Sequence, residues 1–381
     1  MNKHFANKHL PLEEQDRTRV LFFFFLLLPF SALFPHAHLA AALWLFLILF
    51  VGAMTVSGKA LLRLPRTSFP FCALLLLTAA GAVNATRATL LAVFLRLSFF
   101  LPALFWRRRE DFCRILAFLG ALLGALALLQ LWLGRGAVGY DDARLFATLA
   151  RASFPFGNPN LLAAFLLPCA LLALDRAACA SRGRWLYLGF AALALCGIGA
   201  TFSRGAMLAA FVGCLWLLMR RYGVFLPVLT LFSILPWACL LLPESLLSRI
   251  ASLGSVDSSA SYRLSLWKSV SRLSPCTLLF GVGEGKEALL SLLSPVLLAG
   301  LSRVEHTHSL YLHLLLGEGV FALLLFLWCA YLALRRAPQG VAAALLSLLV
   351  FGIFDDPLYA GQTEVLFWFL LGFSQSVAPS S

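Results

Sequence analysis

The sequence predicts an all-α polytopic membrane protein of about 12 transmembrane helices, built as one integral domain over residues 1–381, and three observations carry that reading. Of the 381 residues, 61% are apolar and 12% charged, with a mean hydropathy of +0.90. A soluble domain averages about 45–50% apolar and roughly 25% charged, so this chain lacks the polar surface to cover its own volume in water. Apolar runs recur along the length, each closed by a polar or Arg-rich break, and the basic residues fall in alternate connections. Twelve spans of about 20 residues use roughly 240 and leave no room for a second domain of ordinary size.

The runs fall near 20–35, 38–54, 68–83, 88–106, 115–133, 160–174, 185–201, 205–219, 223–243, 310–334, 339–354 and 362–378. The first follows Lys3, Lys8, Arg17 and Arg19 and has no small-residue cleavage site after it, so it reads as an uncleaved span. Lys59, Arg63 and Arg66 close the second run, and Arg107, Arg108, Arg109 and Arg114 the fourth. Arg176, Arg182 and Arg184 then close the sixth, Arg220 and Arg221 the eighth, and Arg335 and Arg336 the tenth. These alternate segments are all basic, whereas the short connections of the opposite set carry almost no Lys or Arg. By the positive-inside rule both termini are cytoplasmic.

The net charge of +13 comes from 30 Lys and Arg against 17 Asp and Glu. In a polytopic chain that excess reports topology before any anionic partner, so nucleic acid is not expected. The nine cysteines stand singly with no CxxC and mostly inside apolar runs, as small buried hydrophobes do.

The connections are asymmetric. The outer side carries a loop near 134–159 and a large loop over 244–309, within which Ser261–Leu273 places Tyr262, Leu266, Val270 and Leu273 on one stripe beside Arg263, Lys268 and Arg272. Such a helix either lies on the membrane surface or caps the bundle.

Four polar features stand out, and the alternation puts all four on the outer face. They are Phe156-Gly157-Asn158-Pro159-Asn160, Thr201-Phe202-Ser203-Arg204-Gly205, Glu305-His306-Thr307-His308-Ser309 and Phe354-Asp355-Asp356-Pro357. Arg204, at a tight junction of two spans, reads either as a cation snorkelling to head groups or as an anion ligand assisted by the Gly205 amide at a helix start. Arg263 reads either as part of a solvated helix face or as a second anion ligand, and two converging forks would suit a diphosphate. His306 and His308 offer metal-ligand spacing, but no Cys or compact carboxylate cluster in the sequence completes a site, so no metal is expected. Their alternatives are a structural role at the interface and general-base work near neutral pH. Asn158 and Asn160 read as a turn and N-cap. Asp355 and Asp356 read as a turn at the outer surface, or as a pair for a cation or a sugar hydroxyl. Arg96, inside the fourth run, is expected to pair with a carboxylate or carbonyl in the bundle. Gly317-Glu318-Gly319 marks a break in the run beginning at 310, which as one helix over 308–334 would outreach the hydrocarbon core.

The ordered motifs FGNPNLLAAFLLP, TFSRGAML, YRLSLWKSV with PCTLLFGVGEG, HTHSLYLHLLLGEGVFALLLF and FDDPL resemble the O-antigen ligase/polymerase superfamily over about 155–378. The resemblance implies a glycosyltransferase of the C class in the bacterial inner membrane, with 244–309 as a large periplasmic loop and the active site facing the periplasm. It implies transfer of a glycan from an undecaprenyl-diphosphate carrier to an acceptor, with no cofactor and no metal. By match to the family motifs, Arg204 and Arg263 bind the diphosphate and His308 acts on the acceptor hydroxyl, with His306, Asn158, Asn160, Asp355 and Asp356 as supporting candidates. Ser309 stands where the family has Asn. Among family activities a ligase acting on lipid A-core is preferred; the alternative is a polymerase extending a growing glycan. Only a few residues follow the last apolar run, which counts against a protein-acceptor branch. A secondary transporter would need interrupted helices at matching points of two halves, which the sequence lacks.

Overall fold

The computed structural model describes residues 25–30, 68–80, 92–93, 96–97, 100, 103, 109–135, 150–223, 258–283, 286–293, 306–359 and 361–375. The expected spans at 38–54 and 223–243, and most of those at 20–35 and 88–106, lie outside these residues, as do the basic segments at 59–66 and 107–108. The described part of the chain is helical, and the remaining apolar runs appear as helices.

α1 is Phe69–Ala80, α2 Arg109–Trp132, α3 Pro159–Cys179, α4 Arg184–Ala200 and α5 Arg204–Tyr222. The large loop contributes α6 (Ser258–Val270), α7 (Pro275–Phe280) and α8 (Lys286–Leu293). α9 (Leu310–Glu318), α10 (Val320–Arg336), α11 (Gln339–Phe354) and α12 (Gly361–Gln375) complete the bundle. Among the described residues α3, α5 and the Glu110–Trp132 part of α2 are long and apolar enough to cross a membrane, while Arg184–Ala200 and Gln339–Phe354 are shorter apolar helices.

Helix contact in this chain uses small residues, because the apolar effect does not distinguish a neighbouring helix from lipid and close backbone approach must supply the attraction. α2 carries Gly120 and Gly124 one turn apart, and α4 presents Gly197. A Cβ on Gly124 would sit 2.2 Å from the Leu193 carbonyl, and one on Gly197 would sit 2.7 Å from Gly124 Cα. Any larger side chain at this crossing would force α2 and α4 apart. α12 takes the opposite solution: it is buried around its whole circumference, with Trp368, Phe369 and Phe373 packed among Phe25, Phe71, Phe112 and Phe326.

The run beginning at 310 divides at Gly319, whose φ of 87° ends α9 and starts α10 in a new direction. The division frees carbonyls at the end of α9, and the large loop satisfies them: Val282 N donates to Leu316 O at 2.9 Å and Gly283 N to Gly317 O at 2.8 Å. Gly281 lies so close to Gly317 that a Cβ there would be 2.4 Å from the Gly317 carbonyl. Of the expected α6 stripe, Leu266 and Val270 are buried against Leu293 of α8 and Leu316 of α9, with Leu273 packed beside them. The loop helix therefore caps the bundle.

Beside the same break, Arg96 and Glu318 form a buried ion pair, with side chains 1% and 2% exposed. Thr78 of α1 donates to Glu318 Oε2 at 2.6 Å and accepts from Arg96 Nη1 at 2.8 Å, and the Arg96 guanidinium lies 5.1 Å from the Trp368 ring centre. The partner expected for Arg96 is this carboxylate, supplied by the broken helix.

Candidate active site

The helix ends sort into two groups. At one end lie Arg176, Arg184, Arg220, Arg221, Arg335 and Arg336, at the termini of α3, α4, α5 and α10. At the other end lie the start of α3, the end of α4, the starts of α5 and α9, and the end of α11. The four polar motifs converge there.

α3 starts in the NPN sequence. Asn158 is the N-cap, accepting from Asn160 N at 2.8 Å, and Pro159 takes the first helical position, where a missing N–H costs nothing. This sets Asn160 in the first turn, from which its Nδ2 donates to Asp355 Oδ2 at 2.6 Å. Asn158 itself is spent on the cap.

Asp355 is the hub. It follows α11, which carries no charged residue, and is 6% exposed; Asp356 is 1% exposed. The surface turn expected from the sequence is thus a buried one, closed over by the His306–Ser309 segment and Tyr359. Asp355 Oδ1 lies 3.2 Å from His306 Nε2 and 3.6 Å from His308 Nδ1, and it accepts from Asp356 N at 2.9 Å. Arg263 Nη2 lies 3.9 Å from Asp355 Oδ2. Arg263 therefore faces inward from α6, and its reading as part of a solvated face is set aside. Asp356 turns elsewhere: Leu358 N donates to its Oδ1, and its Oδ2 lies 2.6 Å from His313 Nδ1.

The histidine segment is pinned from several sides. Trp267 of α6 donates to Thr307 O at 3.3 Å, Thr307 Oγ1 to Ser309 O at 2.8 Å, and Ser309 Oγ to Gly352 O at 3.4 Å. The His306 ring stacks on Tyr359 with centres 4.4 Å apart and lies 3.8 Å from the His308 ring. His308 adopts φ 51°, a left-handed conformation that costs on the order of 1–3 kcal/mol and persists only where the surroundings enforce it. Its side chain is 21% exposed against 10% for His306. Burial pushes the His308 imidazole below its ordinary value, only partly offset by Asp355, so the neutral form is favoured near pH 7. Burial alone would raise the Asp355 carboxyl, but the two imidazoles outweigh it and hold the group well below its ordinary range, ionised. An ionised carboxylate facing His308 Nδ1 selects the tautomer that carries its proton there and leaves Nε2 as the accepting nitrogen.

Arg204 opens α5, after Ser203 and Phe202; Phe202 is the other non-glycine residue with a left-handed φ, 49°, among those described. Gly205 fits against Phe354, where a Cβ would lie 3.0 Å from Phe354 Cβ, so the Arg204 helix start abuts the residue that precedes Asp355.

The sequence alone shows two histidines and no third ligand, whereas the fold supplies one: ligand atoms of His306, His308 and Asp355 lie within 4.8 Å of one another. Asp355 Oδ1 faces both imidazoles, while Oδ2 is faced by the Asn160 amide N–H and the Arg263 guanidinium. This donor set suits an ionised carboxylate that orients imidazole.

Sequence reasoning passes over Arg151, Tyr359 and His313. Arg151 donates from Nε to Thr201 O at 2.8 Å and from Nη2 to Asn160 Oδ1 at 3.1 Å. In the sequence it is one cation in a loop, and its place five residues before a turn motif is the only signal it gives.

No curated protein matches this chain. Residues 189–327 match the family described as O-antigen ligase, a stretch that contains Arg204, Arg263, His306 and His308, while Asn160 and Asp355 join them from either side. That match supports an O-antigen ligase-like assignment for this stretch, and the long apolar helices around it are those of a membrane-embedded protein.

Proposed function

We propose that this protein is an O-antigen ligase: it transfers a glycan from an undecaprenyl-diphosphate carrier to a lipid A-core sugar at the periplasmic face of the inner membrane, with inversion and without a metal. The observation that carries the reading is the pairing of His308 with the ionised Asp355 beside Arg263, at the end of the bundle where α5 begins with Arg204. The acceptor hydroxyl oxygen attacks the anomeric carbon as the bond from that carbon to the diphosphate oxygen breaks. The hydroxyl proton passes to His308 Nε2, and the electron pair leaves with the diphosphate. Arg204 and Arg263 neutralise the charge that develops on the leaving group, and their forks match phosphate oxygens in a way a point charge does not.

Asp355 keeps the His308 proton on Nδ1 and stabilises the imidazolium formed during transfer, the part a buried carboxylate plays behind a histidine base. Ser309 replaces the Asn of the family motif, and its hydroxyl donates to Gly352 O. Its contribution is to the path of the His308 backbone.

The surface-glycan profile of a deletion strain tests the reading. Polymerised glycan retained on its carrier with bare core is the expected result. A core bearing a single repeat would mean that the protein is a polymerase, and unchanged lipopolysaccharide would overturn the glycan-transfer assignment.

A further inference from the structure

The geometry points to Arg151 as a positioning residue that registers the two halves of the site, the diphosphate-binding turn before Arg204 and the Asp355–His308 pair, through its two hydrogen bonds. This inference rests on the proposed reading of the site.

A guanidinium has donors only, in a rigid plane, so both of its contacts are directional. Through Nε, Arg151 holds the Thr201 carbonyl, one residue before the left-handed Phe202 and three before Arg204. Through Nη2 it holds Asn160 Oδ1. Because Arg151 can only donate, Asn160 must offer it the carbonyl oxygen, which turns the Asn160 amide N–H toward Asp355. The reversed amide would set two donors against each other at Arg151 and an oxygen against a carboxylate at Asp355. Arg151 thereby fixes which end of Asn160 meets Asp355, and Asp355 in turn meets both imidazoles.

The backbone that carries Arg151 is itself fixed. Ala152 N donates to Ala200 O at 2.9 Å, and Ser153 N and Phe154 N both donate to Gln130 Oε1, at 2.9 and 3.0 Å. Gln130 is on α2, so a spanning helix anchors the segment from which the guanidinium reaches. The turn before Arg204 and the first turn of α3 are thus joined by one planar guanidinium carried on an anchored backbone, which helps keep a reacting pair in register.

The test uses the full chain in lipid nanodiscs with a carrier-linked glycan and a lipid A-core acceptor, and measures kcat, donor KM and thermal stability. Asn160→Leu removes the link to Asp355 but leaves the Arg151 Nε contact with the Thr201 carbonyl, so it is expected to lower kcat about 10–100-fold with donor KM unchanged. Arg151→Met is expected to lower kcat by a similar factor and also to raise donor KM. The double variant is expected to be no slower than Arg151→Met, since both changes act on kcat through one path. Losses that multiply in the double variant, or an Arg151→Met protein with kcat and donor KM within about twofold of wild type, overturn the inference. So does a variant that loses only thermal stability. If Arg151→Met does not accumulate, Arg151→Lys takes its place: an ammonium reaches one of the two acceptors, so either kcat or donor KM should remain impaired, and wild-type values for both overturn the inference. His308→Ala runs in parallel. If it transfers normally, the reading of the site fails; if it is crippled while Arg151→Met is normal, only the role of Arg151 fails.

Discussion

The Asn160 amide donates to Asp355 Oδ2 at 2.6 Å across 195 residues of sequence, tying the first turn of α3 to the end of α11. With Oδ2 held there and Oδ1 facing both histidines, the Asp355 carboxylate is satisfied on every side and stays ionised in a buried position. The predictions about His308 and Arg263 depend on that arrangement.

His308→Ala should slow transfer by about 10²–10⁴-fold, or about 3–5 kcal/mol in the barrier, and leave donor binding nearly intact. His306→Ala should cost far less, because His306 is the deeper ring and stacks on Tyr359. Single-turnover rates in reconstituted vesicles decide between them. A crippling effect of His306→Ala with a mild one of His308→Ala would reverse the assignment.

Arg204→Ala and Arg263→Ala should both weaken binding of the carrier diphosphate, with Lys recovering only part. The structure separates the two variants further. Arg263 also faces Asp355, so Arg263→Ala should lower kcat at saturating donor more than Arg204→Ala does. Carrier affinity measured in lipid, alongside saturating rates, tests this; unchanged affinity in both variants would remove the arginines from the donor site.

The acid limb of the pH–kcat profile should lie below about 6.5, the ordinary imidazole value. His308 must be neutral to accept a proton, and burial pushes its titration downward, so activity persists as pH falls through the usual histidine range and is lost only below it. A limb above that value would indicate that the working group is charged at neutrality.

Transfer should survive dialysis against a strong chelator, because in the proposed mechanism Arg204 and Arg263 supply the positive charge that the leaving diphosphate needs. Loss of activity that is restored by added zinc or magnesium would recast His306, His308 and Asp355 as ligands.

Glu318→Ala or Arg96→Ala should destabilise the protein by about 3–5 kcal/mol, since each leaves the other charge buried alone. The double change Arg96→Met with Glu318→Leu should recover much of that loss. Thermal unfolding in lipid reads both, and an additive double variant would show that the pair is not coupled.

Composition and the alternation of basic connections suffice to read a helical membrane bundle, because hydrocarbon demands long apolar helices and lipid leaves few alternatives. The caps and breaks are local in the same sense: the NPN start of α3, the Gly317–Gly319 division and the stripe of α6 all follow from neighbouring residues. Asp355 is different. Beside Asp356 and before Pro357 it reads as a surface turn, and nothing within ten residues announces that two histidines, an asparagine and an arginine from other segments will cover it. The same holds for Glu318, whose partner Arg96 is 222 residues away, and for Arg151, a loop cation until α2 and α4 hold its backbone in place. Periodicity and capping are properties of one segment and can be read along the chain. The state of a buried charge depends on which donors the packed helices bring to it, and only the tertiary structure decides that.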